Sequence, residues 1–224
     1  GLLPLPDTEA ACRELDYIYD ELKLDGVGLV SHYNDVYLGD PEFEELYQEL
    51  NKREAVVFIH PVRPMQAAKM QYSFPSGFVE LVAATGRVIA NLLATGVMEN
   101  YPNIKWYLPH SGGIIPSILY RLIKFESHPK FQDKVPKGVR YYLNKIYYDV
   151  AQASEPETLA ALMSFADPGK ILFGTDYPFA IDRSSVIQDT IDGIELFSGF
   201  DEGARQKIYC DNALALFPRF QSVG

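Results

Sequence analysis

Short apolar, β-branched runs alternate along the chain with segments whose apolar residues recur every three or four positions. Between residues 7 and 22, Ala11, Leu15, Ile18 and Leu22 share one helical face, and Asp7 after Pro6 suits an N-cap. Gly26 closes that helix, and residues 27–30 read as a buried strand. Pro41 opens a second helix in which Phe43, Leu46 and Leu50 face one way, and residues 55–59 form the clearest strand in the chain. The alternation then repeats. A helix over 77–95 precedes a strand at 104–108, and a helical stretch at 114–125 with a basic connection at 129–144 precedes a strand at 146–148. A helix over 155–165, with Pro156 in its first turn, precedes a strand at 171–173. Helices at 184–197 and 201–217 follow, the second predicted to bend around Cys210, Asp211 and Asn212. Near-continuous apolar strands separated by amphipathic helices imply an α/β fold with a parallel sheet covered by helices. No linker interrupts residues 1–224, which read as a single domain. No GxGxxG or Walker-type loop follows any strand, which removes support for a nucleotide-binding open sheet.

Composition narrows the partners. Twenty Lys and Arg against thirty Asp and Glu give a net charge of −10, which repels phosphate backbones and anionic lipid. Neither nucleic acid nor a membrane is therefore expected as a partner, and no apolar run is expected to reach the ~18–20 residues that span a bilayer. Cys12 and Cys210 form no CxxC pair and are expected as buried, reduced thiols, pointing to the cytoplasm. The opening residues have no basic region followed by a long apolar one, so no secretory signal is read there. They also lack an initiator Met, consistent with a chain that is part of a longer one.

The chemistry sits at the strand exits. The second strand ends in His60-Pro61, the third in Pro109-His110-Ser111-Gly112-Gly113, the fourth in Asp149, and the fifth in Gly174-Thr175-Asp176-Tyr177-Pro178. Barrels and open α/β sheets both place their chemistry at the C-terminal ends of parallel strands, where distant residues converge. Each residue taken alone also has a plainer role. His60 could cap its strand, Asp176 could cap a loop, and Asp149 could simply fix the loop that follows it. His32 follows the first strand without any ligand spacing, and His128 lies in a polar stretch expected at the surface. Imidazole and carboxylate together are ligands for Zn²⁺ or Mn²⁺, and a further His beside them can serve as general acid or base.

His60-Pro61, His110-Ser111-Gly112-Gly113, Gly174-Thr175-Asp176-Tyr177-Pro178 and Asn212-Ala213 before Leu216-Phe217 stand in an order that resembles a known family. That family is the amidohydrolase-related group, in its branch of aminocarboxymuconate-semialdehyde, γ-resorcylate and 6-methylsalicylate decarboxylases. Pro4-Leu5-Pro6-Asp7 and Tyr37-Leu38-Gly39-Asp40-Pro41 extend the likeness along essentially the whole chain. The resemblance implies a TIM-barrel-type (β/α)₈ fold and metal-dependent, non-oxidative decarboxylation of an aromatic or unsaturated carboxylic acid. It makes His60 a metal ligand, His110 the catalytic acid/base, and Asp176 a carboxylate ligand that shares in catalysis. Arg121 then matches an arginine that reaches a neighbouring subunit's site to hold a substrate carboxylate, which implies a homodimer. A solvent-facing helix residue is the plainer account of it.

The family's HxH or ExH ligand pair on the first barrel strand has no counterpart in the chain. The five visible strands correspond to strands four to eight, so an N-terminally truncated barrel is expected, with Zn²⁺ (or Mn²⁺) held weakly. Two other functions fit the same residues. One is metal-dependent hydrolysis of a lactone or amide; the other is a non-catalytic relative that dimerises or binds small acids.

Overall fold

A computed structural model describes residues 1–179 and 184–221. By its contacts the chain divides into two units, Gly1–Tyr107 with Gly113–Tyr142, and Leu108–Gly112 with Leu143–Gly224.

The first unit begins with α1 (Thr8–Asp16), whose N-terminus is capped as the sequence predicts: Asp7 Oδ1 accepts the Ala10 amide at 2.9 Å. A π-helical turn, Tyr17–Glu21, continues it and buries Ile18. Next comes β1 (Gly26–Val30), with Val27 and Leu29 inward. A small antiparallel hairpin of β2 (His32–Tyr33) and β3 (Val36–Tyr37) follows, turning through left-handed Asn34 and Asp35. A single 3₁₀ turn started by Pro41 leads into α2 (Glu44–Lys52), which buries Leu46, Tyr47 and Leu50. Arg53, just after α2, reaches Asp16 Oδ1 at 2.5 Å and Asp20 Oδ2 at 3.2 Å, tying the end of α2 to α1 and its π turn. Strand β4 (Val56–His60) runs parallel to β1 in the register Gly26↔Val56 to Val30↔His60.

Helix α3 (Gly77–Thr95) matches its predicted bounds and stops at Gly96, whose φ of 81° gives a left-handed C-cap. Its 19 residues also correct an expectation, because by length and mean hydropathy (1.4) α3 alone among the described residues could cross a bilayer. Glu80 and Arg87 within it pair with each other at 3.5 Å, and Ala84, Val88, Ile89, Leu92 and Leu93 are buried, as in a core helix. A short α4 (Val97–Asn100) leads to β5 (Lys105–Leu108), which pairs parallel with β4 through Val56↔Lys105 to Phe58↔Tyr107. Helix α5 (Ile115–Ile123) follows, and then α6 (Val139–Lys145), which lies in the stretch predicted as a basic connection.

The second unit holds β6 (Tyr147–Asp149) and β7 (Ile171–Leu172), parallel in the register Tyr148↔Ile171 and Asp149↔Leu172. Between them runs α7 (Pro156–Met163), with Pro156 in its first turn as expected. Helices α8 (Val186–Leu196), α9 (Glu202–Gln206) and α10 (Asn212–Leu216) complete it. The predicted bend is a π turn, Lys207–Asp211, between α9 and α10. Asn212 donates from its amide to the carbonyls of Pro168 at 2.9 Å and Ile171 at 2.8 Å, which anchors the start of β7. Both cysteines are free thiols, but neither is buried. Cys12 is half-exposed and Cys210 faces solvent from the π turn, which corrects their expected burial.

Candidate active site

The polar residues of the second unit come from three loops. Each loop follows a strand. After β5 the chain turns at once through His110–Gly112, with His110 (φ 58°) and Ser111 (φ 52°) both left-handed. His110 and Ser111 are buried. Asp149, the last residue of β6, is also buried, and its Oδ1 accepts the amide of His110 and the amide of Ala151, both at 3.0 Å. Ser111 Oγ donates to the Ala153 carbonyl at 3.1 Å, a second tie between the β5 and β6 exits. The β7 exit reaches the same place through Gly174, because a Cβ there would lie 2.9 Å from Asp149 Cβ and Cγ. Only glycine lets that backbone pass so close.

Two residues beyond Gly174, Asp176 is half-buried and left-handed (φ 58°), and a cis Tyr177–Pro178 bond follows it. Its Oδ2 lies 3.4 Å from His110 Nε2 and also accepts a hydrogen bond from the Gln152 side chain. Gln152 is itself left-handed, with φ 48°. His110, Ser111, Gln152 and Asp176 thus all hold a backbone conformation that non-glycine residues rarely adopt, at a cost of roughly 1–3 kcal/mol each. The surrounding hydrogen bonds hold them there.

Within the second unit the structure brings two predicted residues together, His110 and Asp176. His60 ends β4 in the first unit, half-buried, and its carbonyl accepts the Ser31 amide at 3.0 Å, which fixes the strand exit. Arg121 lies in the last turn of α5 and is exposed. Asp149 fixes the loop after β6 and holds the backbone amide of His110. His32 is buried in the hairpin with its ring 4.8 Å from that of Tyr37, and His128 is exposed as predicted. Sequence reasoning missed Gln152 and the Ser111 hydroxyl. Gln152 belongs to no motif, the Ser111 hydroxyl has no partner within its own His110–Gly113 motif, and their contacts cross 24 and 42 residues of sequence.

Chemically, His110 and Asp176 set an imidazole nitrogen beside a carboxylate oxygen. That donor pair suits a borderline divalent cation, or a proton relay in which the carboxylate orients and stabilises an imidazolium.

Comparison with known proteins fits this chemistry. A 6-methylsalicylic acid decarboxylase of Penicillium expansum is 32% identical over 222 residues, covering 97% of this chain and 67% of that enzyme. Among solved structures, an amidohydrolase II is 27% identical with a TM-score of 0.86, covering 97% of this chain and 69% of the other. A dihydroxybenzoic acid decarboxylase from Polaromonas sp. JS666, with bound manganese and the inhibitor 2-nitroresorcinol, has a TM-score of 0.82 at 23% identity. It covers 98% of this chain and 68% of its own. The chain thus spans about two-thirds of the length of these proteins, and its fold is the α/β, TIM-barrel type of their superfamily. The profile described as Amidohydrolase matches residues 1–219, and the chain belongs to the amidohydrolase family.

Proposed function

We propose that this chain is a metal-dependent, non-oxidative decarboxylase, a carboxy-lyase acting on an aromatic carboxylic acid. The observation that carries this reading is the His110–Asp176 pair, 3.4 Å apart at the exits of β5 and β7, in a chain 32% identical to a named decarboxylase. The five parallel strands are taken as the fourth to eighth of the family barrel.

The donors fit a divalent metal, with His60 and Asp176 as its ligands. His60 supports this as the last residue of its strand, the position from which a barrel strand addresses the site. Zn²⁺ is the proposed ion, with Mn²⁺, the metal of the Polaromonas structure, the alternative. When bound, the ion would polarise a substrate oxygen and offset negative charge accumulating on the substrate.

His110 performs the proton chemistry. Its imidazolium delivers a proton to the ring carbon that bears the carboxylate, forming a C–H bond and dearomatising the ring. The bond to the carboxylate then breaks, CO₂ leaves, and the bonding electrons restore the aromatic ring. Asp176 stabilises the imidazolium before transfer, and Asp149 holds the His110 backbone so that the ring stays aimed. Arg121, exposed on α5, would serve a neighbouring subunit in a homodimer by holding a substrate carboxylate there. Two free cysteines suit a cytoplasmic setting.

The test is CO₂ release from 6-methylsalicylate or another ortho-hydroxybenzoate, supplied with Zn²⁺ or Mn²⁺. His110→Ala should lower turnover by about 10²–10⁴-fold with an unchanged circular dichroism spectrum. Turnover retained in that variant would remove His110 from the mechanism. Lactone hydrolysis without CO₂ release would replace decarboxylation by hydrolysis.

A further inference from the structure

We infer that Gln152 is a positioning residue, whose side-chain amide sets the orientation of the Asp176 carboxylate. The inference extends the proposed metal-dependent chemistry and rests on it for its consequence. Its structural basis is separate.

Gln152 lies three residues beyond the end of β6 with φ 48°. Such a position favours glycine, or Asn and Asp, whose short side chains compensate locally. Glutamine offers no such compensation. If the turn needed only its backbone shape, glycine would serve better. The Gln152 side chain instead crosses to the β7 exit and donates to Asp176 Oδ2.

The loop is built to present that side chain. On one side the Ala151 amide is held by Asp149 Oδ1 at 3.0 Å. On the other, the Ala153 amide donates to the Val150 carbonyl at 3.1 Å, and the Ala153 carbonyl accepts from Ser111 Oγ at 3.1 Å. The backbone is thus pinned before and after residue 152, while the side chain between is exposed and directed at one oxygen. That oxygen also faces His110 Nε2 at 3.4 Å. Two nitrogen groups from different loops therefore address the same carboxylate oxygen and fix the plane of the carboxylate. Groups that orient a ligand in this way typically change metal affinity about 10–100-fold when removed.

The experiment has two arms. In chelator-treated protein, thermal unfolding is measured for wild type, Gln152→Gly, Asp176→Ala and the double variant. The cycle cancels any relief of backbone strain, and the hydrogen bond should appear as non-additivity of about 2–4 °C. Additive effects overturn the inference. In the second arm, Mn²⁺ and Zn²⁺ affinities are measured by competition with a chromophoric chelator. Gln152→Gly and Gln152→Glu should both weaken binding about 10–100-fold, the glutamate because it replaces the donor with a second carboxylate. Gln152→Asn, which keeps an amide and suits the left-handed backbone, should recover part of the loss. A wild type that binds metal and a Gln152→Gly variant of equal affinity overturn the inference. A coupled cycle in a wild type that binds neither ion upholds the positioning of Asp176 and removes the metal-dependent reading instead.

Discussion

Asp149 carries more of the site than its place at the end of a short strand suggests. One of its oxygens receives two amides, and its methylene carbon leaves no room for a side chain at residue 174. Replacing Asp149 with Ala strands the amides of His110 and Ala151, at about 1–3 kcal/mol for each one left buried without a partner. Denaturant unfolding should show that loss, and Asp149→Asn, which keeps an acceptor oxygen, should recover most of it. Gly174→Ala meets the same residue from the other side. Its added methyl should cost about 1–3 kcal/mol by overpacking, and turnover should fall with stability as the loops part. At this scale the sequence carried His110 and Asp176 clearly, because a His-Ser-Gly-Gly turn and a Gly-Thr-Asp-Tyr-Pro run after strands are local signals. Asp149 was open between two roles because they differ only in its partners. Gln152 was invisible, since a lone glutamine in a turn has no pattern.

Among the elements, α4 and α6 are joined by one carboxylate. Glu99 receives Lys137 Nζ at 2.7 and 2.9 Å and the Tyr142 hydroxyl at 2.8 Å. The Lys137 ammonium first, and then the Tyr142 hydroxyl, holds the Glu99 carboxyl below its ordinary 4.5. A carboxyl depressed on folding stabilises the native state fully above its unfolded value, and that contribution is lost as pH falls through the folded one. Acid unfolding below pH 4.5 should therefore be shallower in Glu99→Gln than in wild type, while the two curves run parallel near neutrality. Equal acid limbs would show that the contact contributes nothing measurable. Helix α6 escaped sequence reading because it is 7 residues long and follows a run rich in Lys and Pro. The β2–β3 hairpin escaped because strands of two residues have no periodicity to detect. The parallel strands and α3, by contrast, were legible, since continuous apolar runs and a 19-residue amphipathic stretch outlast local noise.

For the whole molecule the governing quantity is a net charge of −10. Like charges at that excess repel one another in the folded state, and salt screens them over about 8–10 Å at physiological strength. The unfolding temperature should therefore rise between low salt and about 0.15 M NaCl. A fall would mean that particular ion pairs, such as those of Arg53, outweigh the general repulsion. How the contacts group along the chain has no local signal in the sequence, because it rests on pairings between residues far apart in it. The five residues Leu108–Gly112, from the end of β5 through the turn after it, group with Leu143–Gly224 although the chain on both their flanks groups with the first unit. A gene split after Tyr142 would consequently send His110 to one fragment and Asp176 to the other. Decarboxylation regained on mixing two such inactive halves would then work as a complementation reporter for any pair of proteins fused to them.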